Sequence, residues 1–176
     1  MSDGSQKKNG DFDMLVFNPE RRDKKTEPDA TKQTKATSET KRPEELVLVV
    51  EDSRPSSAVL ALILRKLGFD VVECANGTEA RHKLDSMSPE EIKRLKAIFS
   101  DYMMPQMNGF ELLTYVRQRS RVKQIPFFIC TSITDRAVMQ QAAALTSTAY
   151  LLKPLSFEKT RKVVEDIFPE RKLKAG

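Results

Sequence analysis

The stretch LVLVVEDSRPSSAVLALILRKLG, residues 46–68, opens with five consecutive apolar residues, three of them valine. A short, continuously apolar, β-branched run of this kind suits a strand covered on both faces. Two acids, Glu51 and Asp52, follow at once. Ser53 then stands where a helix N-cap belongs, with Pro55 in the first turn. Val59, Ile63 and Leu67 recur every four residues with Leu60 and Leu64 beside them, and Gly68 ends the pattern. A buried strand that feeds an amphipathic helix predicts one β–α unit of a parallel sheet.

Outward from this unit the alternation repeats. Residues 69–73 read as a second strand. NGTEARHKL, residues 76–84, reads as a turn and a helix with Thr78 as candidate cap. In SPEEIKRLK, residues 88–96, Ser88 and Glu91 make a capping box and Pro89 suits the first helical position, so an extra short helix is expected there. Residues 97–101 read as a third strand. Asn108 caps a helix that carries Phe110, Leu113 and Val116. Residues 126–130 are a fourth strand, 134–145 a helix, 149–152 a fifth strand, and Ser156 caps a last helix with Phe157, Val164, Ile167 and Phe168. Five strand–helix repeats predict an α/β fold: a doubly wound parallel sheet with helices on both faces, joined by right-handed crossovers. Sites in such sheets form at the carboxyl ends of the strands, near the point where strand order reverses.

Those ends carry complementary groups. The first strand ends in Glu51-Asp52, the second in Glu73, the third in Asp101, the fourth in Thr131-Ser132 and the fifth in Lys153-Pro154. Clustered carboxylates repel unless a cation joins them. Oxygen ligands without His or Cys suit a hard ion such as Mg²⁺. A hydroxyl and an ammonium beside them are what a phosphoryl group requires, because its transfer is mainly a matter of positioning and electrostatics. A carboxylate can itself be the nucleophile and give an acyl phosphate.

The 176 residues allow one ordinary domain plus extensions. Residues 1–43 hold a single apolar cluster, Met14-Leu15-Val16-Phe17, and are expected to be a disordered tail, since such a segment buries too little surface to offset its ordering entropy. Residues 44–169 suit one compact domain, and 170–176 form a basic C-terminal tail. No run is apolar enough to span a bilayer, and the polar N-terminus is no secretory signal. Cys74 and Cys130 match no metal spacing and read as buried free thiols in a reducing cytosol. The net charge of +5 is spread over mixed-sign segments, the pattern of a solvated surface rather than a nucleic-acid face. His82, on a charged helix face, reads as surface.

VVEDSRPSSAVLALILRKLGF, ANGTEA, SDYMMPQMNGFELL, PFFICTS and AYLLKP, in that order, resemble the motifs of bacterial response-regulator receiver domains, of the CheY-like type. The resemblance covers about 46–168. It implies a flavodoxin-like sheet with strand order 2-1-3-4-5. It implies that Asp101 is the phosphoacceptor, that Asp52 and Asp101 bind Mg²⁺ with the backbone carbonyl of Met103, and that Glu51 holds the ion directly or through water. Lys153 would pair with the phosphoryl group or, at rest, with Asp101. Thr131 would donate its hydroxyl to a phosphoryl oxygen, and Tyr150 would be the switch aromatic. Pro105 and Gly109 would shape the loop after the acceptor, and the Lys153–Pro154 peptide would be cis. The same resemblance implies a cytoplasmic two-component protein, phosphorylated by a sensor histidine kinase or a histidine phosphotransfer protein. Its only chemistry would be self-phosphotransfer and autodephosphorylation. It would signal to a downstream protein through the face built from the 134–145 helix, the fifth strand and the last helix, with a phosphorylation-dependent dimer possible.

Four features depart from the family pattern. Glu51 stands where Asp is commoner, ALTSTAY (144–150) lacks the usual Gly before the fifth strand, Leu155 replaces Phe, and 88–96 is an insertion. Thr146 or Ser147 must then take the turn, at a cost of ~1 kcal/mol if its conformation is left-handed. The altered output face motivates an alternative, a phosphorylation-independent interaction scaffold. A haloacid-dehalogenase-type phosphatase would need D-x-D after the first strand, and a P-loop enzyme would need G-x-x-x-x-G-K. Neither motif is present.

Overall fold

The computed structural model of the protein describes residues 45–134 and 136–171. Along the chain lie β1 (Leu46–Val50), α1 (Arg54–Lys66), β2 (Asp70–Cys74), α2 (Gly77–Ser86), α3 (Pro89–Arg94) and β3 (Leu95–Asp101). They are followed by α4 (Gly109–Gln118), β4 (Phe127–Thr131), α5 (Arg136–Ala144), β5 (Ala149–Leu152), α6 (Phe157–Ile167) and a 3-10 turn at Pro169–Arg171. The strands pair in parallel in the order β2-β1-β3-β4-β5, the flavodoxin-like arrangement expected. The tail expected at 1–43 lies outside the described residues, as does most of 170–176.

Strict alternation along the strands divides the core in two. Val47 and Val49, Ala97 and Phe99, Phe128 and Cys130, and Ala149 and Leu151 face α1 and α6. Leu48 and Val50, Ile98, Phe127 and Ile129, and Tyr150 face α2, α4 and α5. Successive strand side chains point to opposite faces, so each continuous apolar run serves both layers at once. Phe99 and Phe128 stack across β3 and β4 with centroids 4.3 Å apart, a contact contributing about 0.5–1.5 kcal/mol beyond its buried area. This stack lies in the two strands that end in Asp101 and Thr131.

Local chemistry sets the helix ends. Ser88 and Asn108 each form a reciprocal capping box, with Glu91 and Glu111 respectively. The cap of α2 is Asn76 rather than Thr78. Its Oδ1 accepts from the Glu79 N–H at 2.8 Å, which places Thr78 inside the helix. Ser53 occupies the N-cap position of α1 without a side-chain cap bond, and its Oγ accepts from the Ser56 hydroxyl instead. Gly68, at φ 85°, ends α1, and Phe69 N–H reaches back to Leu64 O. Val59, expected in the buried stripe, is 51% exposed, as is Leu62 at 55%; the stripe that packs is Leu60, Ile63, Leu64 and Leu67. Cys74 and Cys130 are free and buried, and burial pushes the Cys74 thiol up to about 12.

Thr146 takes the left-handed turn before β5, at φ 58°. An arginine helps to hold it there. The Arg117 guanidinium at the end of α4 donates to Thr146 O at 3.0 Å, Thr146 Oγ1 at 3.2 Å, Lys123 O at 3.1 Å and Ile125 O at 3.0 Å. These carbonyls belong to the turns before β4 and β5, so one side chain ties the start of β4 to the start of β5. Arg117→Ala is expected to lower stability by about 1.5–3 kcal/mol, the range for bonds to a charged donor, seen as a lower urea midpoint. An unchanged midpoint would show that the turns hold without it.

Glu73 does not join the acidic edge. Its carboxylate accepts from Ser57 Oγ at 2.7 Å and Arg65 at 2.9 Å, binding β2 to α1. The Ser57 bond, then the Arg65 bond, hold this carboxyl below its ordinary 4.5. A depressed folded value means a contribution present above the unfolded pKa and lost as pH falls through the folded one. The stability difference between wild type and Glu73→Gln is therefore expected at neutral pH and should vanish well below pH 4.5. A difference that grew on acidification would contradict this.

Candidate functional site

The site is built on four strand ends, those of β1, β3, β4 and β5, beside the reversal of strand order at β1. β3 delivers Asp101 and β1 delivers Glu51 and Asp52. Each of these brings a carboxylate oxygen within 4.8 Å of the others. Asp101 is held from two sides. Its own carbonyl accepts from Ser100 Oγ at 2.9 Å, and the next N–H, of Tyr102, donates to Cys130 O on β4 at 2.9 Å. Gly109, at the start of α4, packs against the same peptide: a Cβ there would lie 2.4 Å from Asp101 O. Backbone on both sides leaves nothing able to yield. Gly109→Ala is therefore expected to displace the Asp101 segment, with a stability loss of about 1–3 kcal/mol by urea unfolding. Wild-type stability in that variant would contradict the contact.

Lys153, after β5, reaches into the acids. Its Nζ lies 2.6 Å from Glu51 Oε2 and 3.0 Å from Asp101 Oδ2. Glu51 is nearly sealed from solvent, with a side chain 4% exposed, whereas Asp52 is exposed. Burial raises the Glu51 carboxyl, opposed by the Lys153 bond and reinforced by the Asp101 charge. For Lys153 burial works to lower the ammonium, but Glu51 and then Asp101 outweigh it and the net direction is upward, which keeps the lysine charged. Glu51, expected to face an ion, thus has its inner oxygen bound to the lysine, while the acid cluster still includes it. The Lys153–Pro154 peptide is cis.

Thr131, at the end of β4, is buried and joined to Lys153 through the backbone, Lys153 N–H donating to Thr131 O at 2.8 Å. Its Oγ1 accepts from Ile133 N–H at 3.1 Å. The Tyr150 hydroxyl donates to Ile133 O at 2.7 Å, with the ring buried. Ile133 is therefore the link between Thr131 and Tyr150. It is a link through backbone atoms, so no side-chain pattern in the sequence signals it. Of the two methionines after Asp101, Met104 packs into the core and Met103 is 64% exposed, so only Met104 lines the interior. His82 is exposed on α2.

The donor set of the cluster is oxygen only, with a lysine as its cation. It can hold a hard divalent ion and can place a carboxylate nucleophile beside positive charge. Residues 47–165 match the response regulator receiver domain. The chain belongs to the response regulator receiver family. A probable chemotaxis protein CheY of Rhizobium etli is 34% identical over 122 residues, 69% of this chain and 91% of that protein. A two-component response regulator of rice, ORR5, is 35% identical over 109 residues, 62% of this chain and 78% of that one. Family resemblance thus extends beyond bacteria. Among solved structures, CheY4 of Vibrio cholerae superposes with a TM-score of 0.63 at 31% identity, covering 70% of this chain and 98% of its own. The receiver domain of a Pseudomonas aeruginosa sensor histidine kinase, with magnesium in its active-site cleft, shares the fold at 21% identity and a TM-score of 0.63, covering 72% of this chain and 98% of that chain. Among the described residues no helix is long and apolar enough to cross a membrane.

Proposed function

We propose that this receiver domain accepts a phosphoryl group on Asp101 and uses it to switch a protein-binding face. The observation that carries the reading is the Lys153 ammonium held 3.0 Å from Asp101 within a cluster of three carboxylates. An Asp101 oxygen attacks the phosphorus of the donor. The bond from phosphorus to the donor, a phosphohistidine nitrogen or an acyl oxygen, breaks and its electron pair leaves with the donor. The product is an acyl phosphate on Asp101. Lys153 balances charge on the transferred oxygens, and Thr131, its oxygen fixed by Ile133, offers them its proton. Asp52, Asp101 and the Met103 carbonyl, with Glu51, would hold Mg²⁺, which supplies further positive charge to the phosphoryl oxygens when bound. The oxygen-only donor set fits that ion.

The donor is a histidine kinase or a phosphotransfer protein, and the setting is cytoplasmic. Apart from gaining and hydrolysing its own phosphate the domain has no catalytic activity. Output passes through α5, β5 and α6, where Tyr150 reports the state of Thr131 through Ile133, to a downstream protein or a second copy. One observation favours the scaffold reading. Tyr150 is buried and bonded to Ile133, which gives the face one defined form. Acetyl phosphate with MgCl₂, followed by intact mass, separates the two. One base-labile, acid-stable phosphoryl group per chain, not formed when Mg²⁺ is chelated beforehand, supports the switch; no uptake favours the scaffold.

A further inference from the structure

The C-terminal halves of α2 and α4 pack together, and three arginines stand on the surface they share. Arg81 and Arg119 both stack on Tyr115, their guanidinium carbons 5.1 and 4.5 Å from the ring centroid. The Tyr115 hydroxyl donates to Asp85, which fixes the ring across the two helices. Arg121 donates to Met87 O, just past the end of α2, at 2.7 Å. All three arginines are exposed. Cations elsewhere are held differently: Arg65, Lys83, Arg94, Lys96 and Lys153 each lie within 4.0 Å of a carboxylate. Among the described residues Arg81, Arg119 and Arg121 have no carboxylate at that distance; an aromatic ring and a carbonyl hold them instead. Neutral partners of this kind fix a guanidinium without cancelling its charge, and they leave most of its N–H donors open.

We propose that this arginine–tyrosine surface docks an acidic segment of a partner protein. A carboxylate matches the planar fork of a guanidinium, and Arg and Tyr are the residue types that most often anchor protein interfaces. The charge balance is complementary, three guanidiniums against the single carboxylate of Asp85, which already accepts from Tyr115. Other polyanions fit less well. A protein bound to duplex DNA makes roughly 6–10 phosphate contacts, and three arginines beside an acid fall short of that. A lipid surface calls for apolar side chains to insert, and the exposed large ones among the described residues, Val59, Leu62 and Met103, lie on neither α2 nor α4. The surface is also remote from the acid cluster. Gly109 begins α4 against Asp101, and Arg119 follows the last residue of that helix, so the two are about 15 Å apart along it at ~1.5 Å per residue. Docking here is independent of Asp101 chemistry, and it does not rest on the function proposed above.

The test titrates fluorescein-labelled hexaglutamate with the full-length protein at low ionic strength and follows anisotropy. Saturable binding is expected, and none would overturn the proposal. Arg81→Gln/Arg119→Gln/Arg121→Gln should weaken it by about tenfold or more, the loss that marks interface anchors. Lys66→Gln/Lys93→Gln/Lys162→Gln removes as many exposed charges from α1, α3 and α6 and should leave it unchanged. Equal losses in the two variants would reduce the effect to net charge and overturn the site. Because Arg121→Gln also gives up the Met87 bond, Arg81→Gln/Arg119→Gln is measured beside the triple variant, with urea midpoints for both. Tyr115→Leu keeps every cation but removes the ring that holds two of them, and should weaken binding about two- to fivefold, the worth of an exposed cation–π contact. An unchanged affinity there would overturn the stacked arrangement as the recognition element. Tighter binding of decathymidylate or of phosphatidylserine vesicles than of hexaglutamate would overturn the assignment to a protein partner. Acetyl phosphate with MgCl₂ should give the same affinity as MgCl₂ alone; a difference would overturn independence from Asp101.

Discussion

Asp101→Asn is expected to eliminate phosphate uptake from acetyl phosphate while leaving the fold intact. The amide keeps the shape of the side chain and loses its nucleophilic charge. The structural cost is small for a stated reason. Lys153 keeps its shorter contact, 2.6 Å to Glu51, and one of three mutually repelling carboxylates is gone. Loss of the Lys153–Asp101 pair and relief of repulsion oppose each other, so the net change should stay within about 1 kcal/mol. Intact mass and urea unfolding of the same sample give both readouts. Wild-type uptake in the variant would mean that another carboxylate accepts the phosphate. Loss of uptake together with loss of the fold would leave the chemistry of Asp101 unassigned, which is why the two are measured together.

Lys153→Met should have the largest effect on stability. Lys153 is the cation between Glu51 and Asp101, and Glu51 is 4% exposed. Removing one partner of a buried pair leaves the other charge desolvated and uncompensated, at a cost of about 3–5 kcal/mol. The urea midpoint should fall accordingly in the absence of divalent ions. MgCl₂ at 100 times its dissociation constant should return about 2.7 kcal/mol, since a ligand of the folded state stabilises it by mass action. Phosphate uptake should also slow by about 10²–10³-fold, the range for losing one positioned charge stabiliser. A variant as stable as wild type without added ion would show that the three acids do not depend on the lysine.

The sheet and its edge were legible in the sequence because both are written in side chains. Short apolar runs, rich in valine in β1 and in aromatic residues in β4, marked the strands, and the residue after each run named its carboxyl end. Where a side chain performs the cap, as at Ser88 and Asn108, the helix start was legible too. What stayed hidden depends on long-range geometry or on backbone. Thr78 and Asn76 each carry a side-chain oxygen able to cap a helix, and only the turn gives the role to Asn76, whose Oδ1 accepts from the Glu79 N–H. Val59 and Leu60 share the apolar stripe at this spacing, and only the rotation of α1 against the sheet decides which is buried. Glu73 stands at a strand end like the others, but β2 is the edge strand beyond β1, and Arg65 of α1 captures it. The Arg117 clamp and the Ile133 link use carbonyl and amide groups that every residue carries, so no pattern of side chains announces them.

The account depends on one carboxylate, at the tip of β3, being the atom that bonds phosphorus. Chains loaded with acetyl phosphate and magnesium can be reduced with borohydride, which converts an acyl-phosphorylated aspartate into homoserine, and then mapped by peptide mass spectrometry. Homoserine at position 101, with Asp52 and Glu51 unmodified, is the predicted result. Homoserine at position 52, reduction at Glu51, or no reduced carboxylate at all would contradict it.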